Sequence, residues 1–312
     1  MTDHQRSSAV CRGCGTMQVH RRLLDNDPEY ARRQRDIEDQ AFRARRAGNL
    51  LREGCSRIPV VVHVVHHTEE QNISREQIES QIAVLNQDFR RQNADRNQVP
   101  DAFAEFAGDA RLQFELATAD PNGNPSEGIT RTQTAHDSFD VDDGVKSSAI
   151  GGQDAWPADR YLNIWVCQLR AGLLGYAQFP GGPAATDGVV VTYTAFGTTG
   201  TARAPSNQGR TTTHEVGHWL NLRHIWGDDG DGCSGSDFVD DTPNQAGPNT
   251  GKPEFPSVSC DNAPHGDMFM NFMDYVDDDT MVMFTNGQVS RMQSCLDSAR
   301  RDIGEPVACT SS

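Results

Sequence analysis

The stretch His214-Glu215-Val216-Gly217-His218-Trp219-Leu220-Asn221-Leu222-Arg223-His224 decides how the rest of the chain is read. His214 and His218 are four apart, so on an α-helix they share a face and can grip one ion. Glu215 follows the first of them and can reach a water at that ion. His224 can join only if the helix ends between it and His218. Three neutral imidazoles leave the fourth position of a tetrahedral zinc open, which is the arrangement of a catalytic site. The turn that ends the helix needs a residue tolerant of positive φ. Asn221 stands there, and Asn is the commonest substitute for glycine in that conformation.

The net charge of the 312 residues is −16, unevenly spread. Residues 1–57 hold 12 basic and 8 acidic side chains; the remainder holds 16 and 36. Such a body repels nucleic acid and favours cationic ligands and calcium, unless the acidity serves solubility alone. No run of 18 apolar residues exists, so no membrane span is expected, and the polar first ten residues show no signal peptide. The even count of eight cysteines fits an oxidising compartment. Cys11 and Cys14 form a C-x-x-C without the further ligands of a zinc knuckle or the βα context of a redox pair.

Asp27-Pro28-Glu29 starts a charge-rich helix that runs to Ala47, too poor in apolar positions to stand alone. A β-branched run over residues 58–65 predicts a buried strand, and Ser74-x-x-Gln77 opens a helix with the stripe Ile78, Ile82, Leu85 and Phe89. His63, His66 and His67 read as packing and surface rather than ligands. Further strands are expected over 111–118, 129–134, 161–169 and 188–193, with an edge strand over 172–180. The histidine-bearing helix spans about 210–220. Residues 227–241 are dense in Asp and Gly and form either a calcium-ordered or a mobile loop. Thr285-x-x-Gln288 is a capping box for a last helix to about residue 301. Strands before the metal helix and an irregular half after it give an α+β order.

Together the motifs resemble the pappalysin family of metzincin zinc endopeptidases. The resemblance covers nearly the whole chain. It rests on Cys14-Gly15-Thr16, Asp154-Ala155-Trp156-Pro157, Tyr161-Leu162-Asn163-Ile164-Trp165-Val166-Cys167, Leu174-Gly175-Tyr176-Ala177-Gln178-Phe179-Pro180, the histidine motif with Trp226-Gly227-Asp228, Asp241-Thr242-Pro243, Asn271-Phe272-Met273-Asp274-Tyr275 and Met283-Phe284-Thr285-Asn286-Gly287-Gln288. It implies a mixed twisted sheet with the active-site helix above the cleft and an irregular lower subdomain ending in a helix. Residues 1–57 would be a helical pro-segment and 58–312 the catalytic domain, its upper part about 58–224 and its lower part about 225–312.

By that resemblance His214, His218 and His224 bind one zinc ion, Glu215 is the catalytic acid/base, Met273 forms the Met-turn and Tyr275 stands near the metal. Asp237 and Thr242 fall where calcium ligands lie, with Asp240 and Asp241 beside them. Cys233 and Cys260 match one lower disulfide; Lys252 and Thr280 replace the other, which loosens the loop by about 2–4 kcal/mol of lost cross-linking. The pairing of Cys11, Cys55, Cys167, Cys295 and Cys309 stays open. Extended protein or peptide substrate is expected to add to the edge strand at Leu174, Gly175, Tyr176 and Ala177. Asp277, Asp278 and Asp279 follow the Met-turn, where the S1′ wall is built, so Arg or Lys after the scissile bond is expected, with Asp279 as its partner; a solvated acidic loop is the plainer reading. Cys14 is expected to fill the open metal position in a latent form, with Cys11 as the alternative, and autolysis is expected at Ser56–Arg57. Secretion follows from the resemblance. A non-catalytic zinc-containing binding module would have lost Glu215 or Tyr275; both are present. A metallohydrolase acting on other substrates is disfavoured by the edge strand.

Overall fold

In the computed structural model, residues 13–47, 54–230 and 232–309 are described. The elements are β1 (Gly13–Cys14), α1 (Thr16–Asn26), α2 (Pro28–Ala47), β2 (Cys55–His66), α3 (Arg75–Asp88), β3 (Leu112–Leu116), β4 (Ile129–Gln133), β5 (Leu162–Cys167), β6 (Leu173–Ala177), β7 (Val189–Thr192), α4 (Arg210–Trp219), β8 (Thr250–Gly251), β9 (Tyr275–Val276), α5 (Asn286–Asp297) and β10 (Glu305–Val307).

β2 is the strand on which the sheet is built. Its β-branched run suits a pleated surface covered on both faces. It pairs in parallel with β3, β4 and β5, and antiparallel with β10. The sheet continues from β5 to β7 in parallel and from β7 to β6 antiparallel. Val60, Val62 and Val64 point to the face that carries α3 and α4, where they meet Ile78, Leu85, Val216 and Trp219. Val65, Trp165, Cys167 and Val190 form the core of the other face, closed by Val19 of α1. Each fully buried valine contributes about 1.5–3 kcal/mol of transfer free energy. The expected α+β, mixed-sheet architecture is therefore present.

Caps settle two helix starts. The Ser74 hydroxyl accepts from Gln77 N (3.2 Å), and Thr285 makes the full reciprocal box with Gln288. α5 ends at Asp297 rather than near 301 because a turn follows. The helix expected from Pro28 to Ala47 is α2. α1 and β1 have too few apolar residues to be read from sequence; they form because Thr16, Val19 and His20 are buried against the body.

Two features were not legible. The strand expected to begin at residue 58 begins at Cys55, so Ser56 and Arg57 lie inside it, opposite Pro306 and Glu305 of β10. Cys55 is bonded to Cys309, and Cys233 to Cys260 as the resemblance implied. Cys14, Cys167 and Cys295 are free thiols; Cys11 lies outside the described residues.

Candidate metal centre

All ten residues of α4 are buried, and polar bonds rather than a side-chain cap hold its first turn. The Asp278 carboxylate accepts from Gln208 N (2.8 Å) and Arg210 N (3.2 Å), placing negative charge at the helix N-terminus. Arg210 pairs with Asp88 (3.1 Å), which also accepts from the Thr213 hydroxyl (2.7 Å). The helix stops at Trp219. Leu222 N turns back to Gly217 O (2.9 Å), and Asn221 takes φ +74°. That turn brings His224 back over the helix.

The three imidazoles converge. His218 Nε2 lies 3.1 Å from both His214 Nε2 and His224 Nε2. Each Nδ1 donates away from the site: His214 to Phe272 O (2.7 Å), His218 to Leu222 O (2.8 Å) and His224 to the Asp228 carboxylate (2.7 Å). Oxygen acceptors at Nδ1 put the proton there and leave the three Nε2 lone pairs facing one point, an arrangement that a cation relieves. Burial, then the neighbouring His224 and His214, hold the His218 pKa well below its usual range, so it stays neutral. Tetrahedral zinc with ~2.0–2.1 Å bonds matches this donor set and spacing. Cys14 completes the group, its Sγ within 4.8 Å of the nitrogens; among the described residues it is the only such cluster.

Around this point the structure gathers most of the residues singled out from sequence. Glu215 Oε2 accepts from the Thr16 hydroxyl (2.9 Å) and the Cys14 thiol (3.6 Å). Tyr275 OH lies 3.2 Å from His224 Nε2, and Trp226 stacks on the His224 ring at 4.3 Å. Met273 is fully buried against Gly217, where an added Cβ would sit 2.5 Å from its sulfur. Gly175 likewise leaves room for Glu215, whose Cγ and Oε1 would lie 2.9 Å from a Cβ there. β6 is not a free edge. β1 lies beside it in parallel, Gly15 N donates to Gly175 O (2.9 Å), and Thr16 Oγ1 accepts from Ala177 N (2.8 Å). Of the four residues named on β6, Leu174 faces the metal point with Cys14 and His214. Tyr176 turns its ring into the far core, under the Lys146 ammonium at 4.9 Å.

The acidic residues do not gather. Asp237 accepts from the Thr242 hydroxyl (2.7 Å), Asp240 pairs with Arg45 of α2 (2.9 Å), and Asp241 caps α5 through Thr285 Oγ1 (2.6 Å) and Gly287 N (2.8 Å). Asp279 is paired with Lys252, one of the two residues standing where the second disulfide is expected. Sequence reasoning missed the roles of Thr16, Gly175 and Asp228. Only Asp228 carried a signal: a carboxylate four residues after a ligand histidine.

A family model described as pregnancy-associated plasma protein-A matches residues 144–297. An extracellular metalloprotease of Arthroderma benhamiae is 33% identical over 241 residues, 74% of this chain and 69% of its own. Promirolysin of Tannerella forsythia, solved as a glutamate-to-alanine mutant, superposes with TM-score 0.85 at 49% identity, covering 93% of this chain and 96% of its own. Mature mirolysin of the same organism, in complex with a cleaved peptide, gives 0.79 at 55% identity over 80% of this chain and 96% of its own. The fold and the histidine constellation define a metzincin metalloendopeptidase. Within that class the chain belongs to the pappalysin family.

Asn221 carries a cost at the helix-ending turn: a positive φ and a buried amide whose Oδ1 and Nδ2 have no hydrogen-bond partner. Asn221→Gly removes both, so thermal unfolding should show a gain of roughly 1 kcal/mol with unchanged zinc stoichiometry. A lower melting temperature in the variant would mean that the Asn side chain supports the turn.

Proposed function

We propose that this chain is the secreted zymogen of a zinc endopeptidase, with Glu215 as acid/base and Cys14 as the latch. The observation that carries the reading is the convergence of three Nδ1-anchored imidazoles beside Glu215, with the Cys14 thiol at the same point. Zinc held by His214, His218 and His224 would polarise a peptide carbonyl and acidify a water. Glu215 then takes the proton of that water and returns it to the leaving amine. Tyr275, whose hydroxyl lies beside His224, donates to the developing oxyanion. Gly175 O and Ala177 N, now engaged by the pro-segment, are the backbone groups that an extended substrate would use. Secretion is supported by relatives named extracellular metalloproteases and by two disulfides among the described residues. Latency is supported by the pro form of mirolysin matching more of this chain than the mature form does.

Release of the pro-segment meets two obstacles. The Ser56–Arg57 bond lies in a paired strand and must leave the sheet before it can enter a cleft. Cys55 also lies on the pro-segment side of that bond, still joined to Cys309. A cut there is a nick that leaves residues 1–56 tethered until the disulfide is reduced or a second cut is made. Autolysed wild-type protein nicked at Ser56–Arg57 should therefore run as one band without reductant and two with it; two bands without reductant place the cut upstream of Cys55 or show a second one. Cys14→Ala should process early. Glu215→Ala should stay full length, keep zinc and lose at least about 10²–10⁴-fold in activity. Retained activity in that variant sinks the mechanism, and an active form whose N-terminal 57 residues are still continuous with the body sinks the zymogen reading.

The preference for Arg or Lys after the scissile bond rests on the acidic run behind Tyr275. Asp278 is fully buried in the α4 cap; Asp277 and Asp279 are both partly exposed, and the assignment is to Asp279, which is paired with Lys252. In peptide-library digests by the processed enzyme, Lys252→Ala should sharpen the basic preference and Asp279→Ala should blunt it. Apolar residues after most cut bonds in the wild-type digest would refute the assignment.

Calcium is proposed at Asp237 and Thr242 alone, because Asp240 and Asp241 are engaged elsewhere. Burial pushes the Asp237 carboxyl up to about 7, against the pull of its Thr242 bond. A carboxyl raised in the folded state favours folding below its usual titration and loses that contribution as pH rises through about 7. A bound cation reverses the loss. The gain in melting temperature from calcium over a calcium-selective chelator should thus be larger at pH 8 than at pH 5. No gain at either pH would remove the site.

A further inference from the structure

Glu38 of α2 is held by two arginines of the body. Its Oε1 lies 2.6 Å from Arg291 Nη2 and 3.9 Å from Arg223 Nη2. We propose that Arg223 and Arg291 form a subsite that takes an acidic side chain of the substrate once the pro-segment has gone. The proposal rests on the protease reading above and adds a specificity to it.

The place of these side chains carries the argument. Arg223 directly precedes the ligand His224. Its guanidinium carbon stands 4.1 Å above the Phe179 ring, and Phe179 is edge-on to the ligand His218 at 5.4 Å. The pair therefore sits on the wall of the metal centre, beyond the C-terminal end of β6. Arg291 is fixed from the body by Nε donating to Asn221 O (2.6 Å). Arg223 is about nine-tenths buried, with side-chain exposure of 10%, and its Nε has no hydrogen-bond partner. Two body carboxylates stand near the pair: Asp228, with one oxygen committed to His224 Nδ1, and Asp237, near Arg291, which accepts from Thr242 Oγ1 and Val239 N.

When the pro-segment leaves, Glu38 goes, together with Met17, whose sulfur lies 3.9 Å from Arg223 Nη1, and His20, which covers Phe179. Two guanidiniums then face one gap above an aromatic floor, with donors directed at the position a carboxylate held. Guanidinium forks recognise carboxylate by geometry as well as charge. A phosphate-rich polymer is disfavoured by the 36 acidic residues against 16 basic ones in the rest of the body. A peptide lying along β6 and continuing past Ala177 brings its own side chains to this wall. The ligand chemistry is thus Asp or Glu in the substrate, several residues from the cut bond.

The test uses processed, zinc-loaded wild-type enzyme freed of the segment that carries Glu38, and end-blocked peptides with one fixed cleavage site, in which Glu and Gln are exchanged at each flanking position in turn. At one position on the side that runs past Phe179, Glu should exceed Gln by at least about tenfold in kcat/KM, with ratios near one elsewhere. The same Glu peptide made uncleavable should compete more tightly than its Gln twin. Arg223→Gln, and independently Arg291→Gln, should bring both ratios toward one. Because each readout is a ratio within one enzyme, a general loss of activity does not imitate it. Equal treatment of Glu and Gln at every position by wild-type enzyme overturns the subsite, as does a ratio that survives Arg223→Gln. Failure to cut any peptide counts against the protease reading itself, and the subsite falls with it.

Discussion

Three imidazole lone pairs held on one point are the constraint from which the rest of the molecule follows. Such an arrangement is repulsive without a cation, so every ring needs an anchor behind it. The anchors come from three separate places: Phe272 O just before Met273, Leu222 O after the helix-ending turn, and the Asp228 carboxylate. The part of the chain after His224 has few regular elements, yet it must close beneath α4 to supply the first and third. Met273 against Gly217 and Asp278 at the α4 N-terminus fix how closely and at what angle it does so.

The same site orders the N-terminal helices. α2 is a polar helix with little apolar surface, and α1 is hardly better, so neither stands alone. They are pinned where body groups want partners: backbone of β6, the carboxylate of Glu215, and buried Arg223 and Arg291. Exposed pairs such as Arg45 with Asp240 contribute little by comparison, about 0–1 kcal/mol each. The placement of α1 and α2 therefore depends on these contacts. Losing them removes what keeps those helices in place.

What could be read from sequence divides along the same line. Period and composition gave β2, α2, α3 and α4 because their signals are local: β-branched runs, caps and a helix-ending Asn. The convergence of His214 and His218 was legible because α-helical geometry converts a spacing of four into proximity. α1, β1 and β10 were not legible, since each forms only against a partner far away in the chain. Cys55–Cys309 spans 254 residues and was hidden among several possible pairings. Thr16 could not be distinguished from any other hydroxyl, because what gives it a role is its bond to Glu215 across 199 residues. Asp240 and Asp241, neighbours in sequence, turn to different partners: one to Arg45 of α2 and the other to the first turn of α5.

Three buried carboxyls, Asp88, Asp237 and Asp274, are each pushed up to about 7 by burial, and their partners differ. Asp88 has the Arg210 guanidinium and the Thr213 hydroxyl, so its charge is already matched inside the fold. Asp274 accepts from Gln245 Nε2 (3.0 Å), Asn249 N (2.8 Å) and Asn249 Nδ2 (3.1 Å), a set of neutral donors that orders the turn behind Met273. Asp237 has one hydroxyl and one backbone amide, at 2.7 and 3.0 Å, and these belong to its own loop. Arg291 is the nearby positive charge, and it is already shared with Glu38. Equal burial thus leaves unequal demand. The calcium proposed at Asp237 and Thr242 would add the oxygen-ligated charge that the protein's own donors there do not supply.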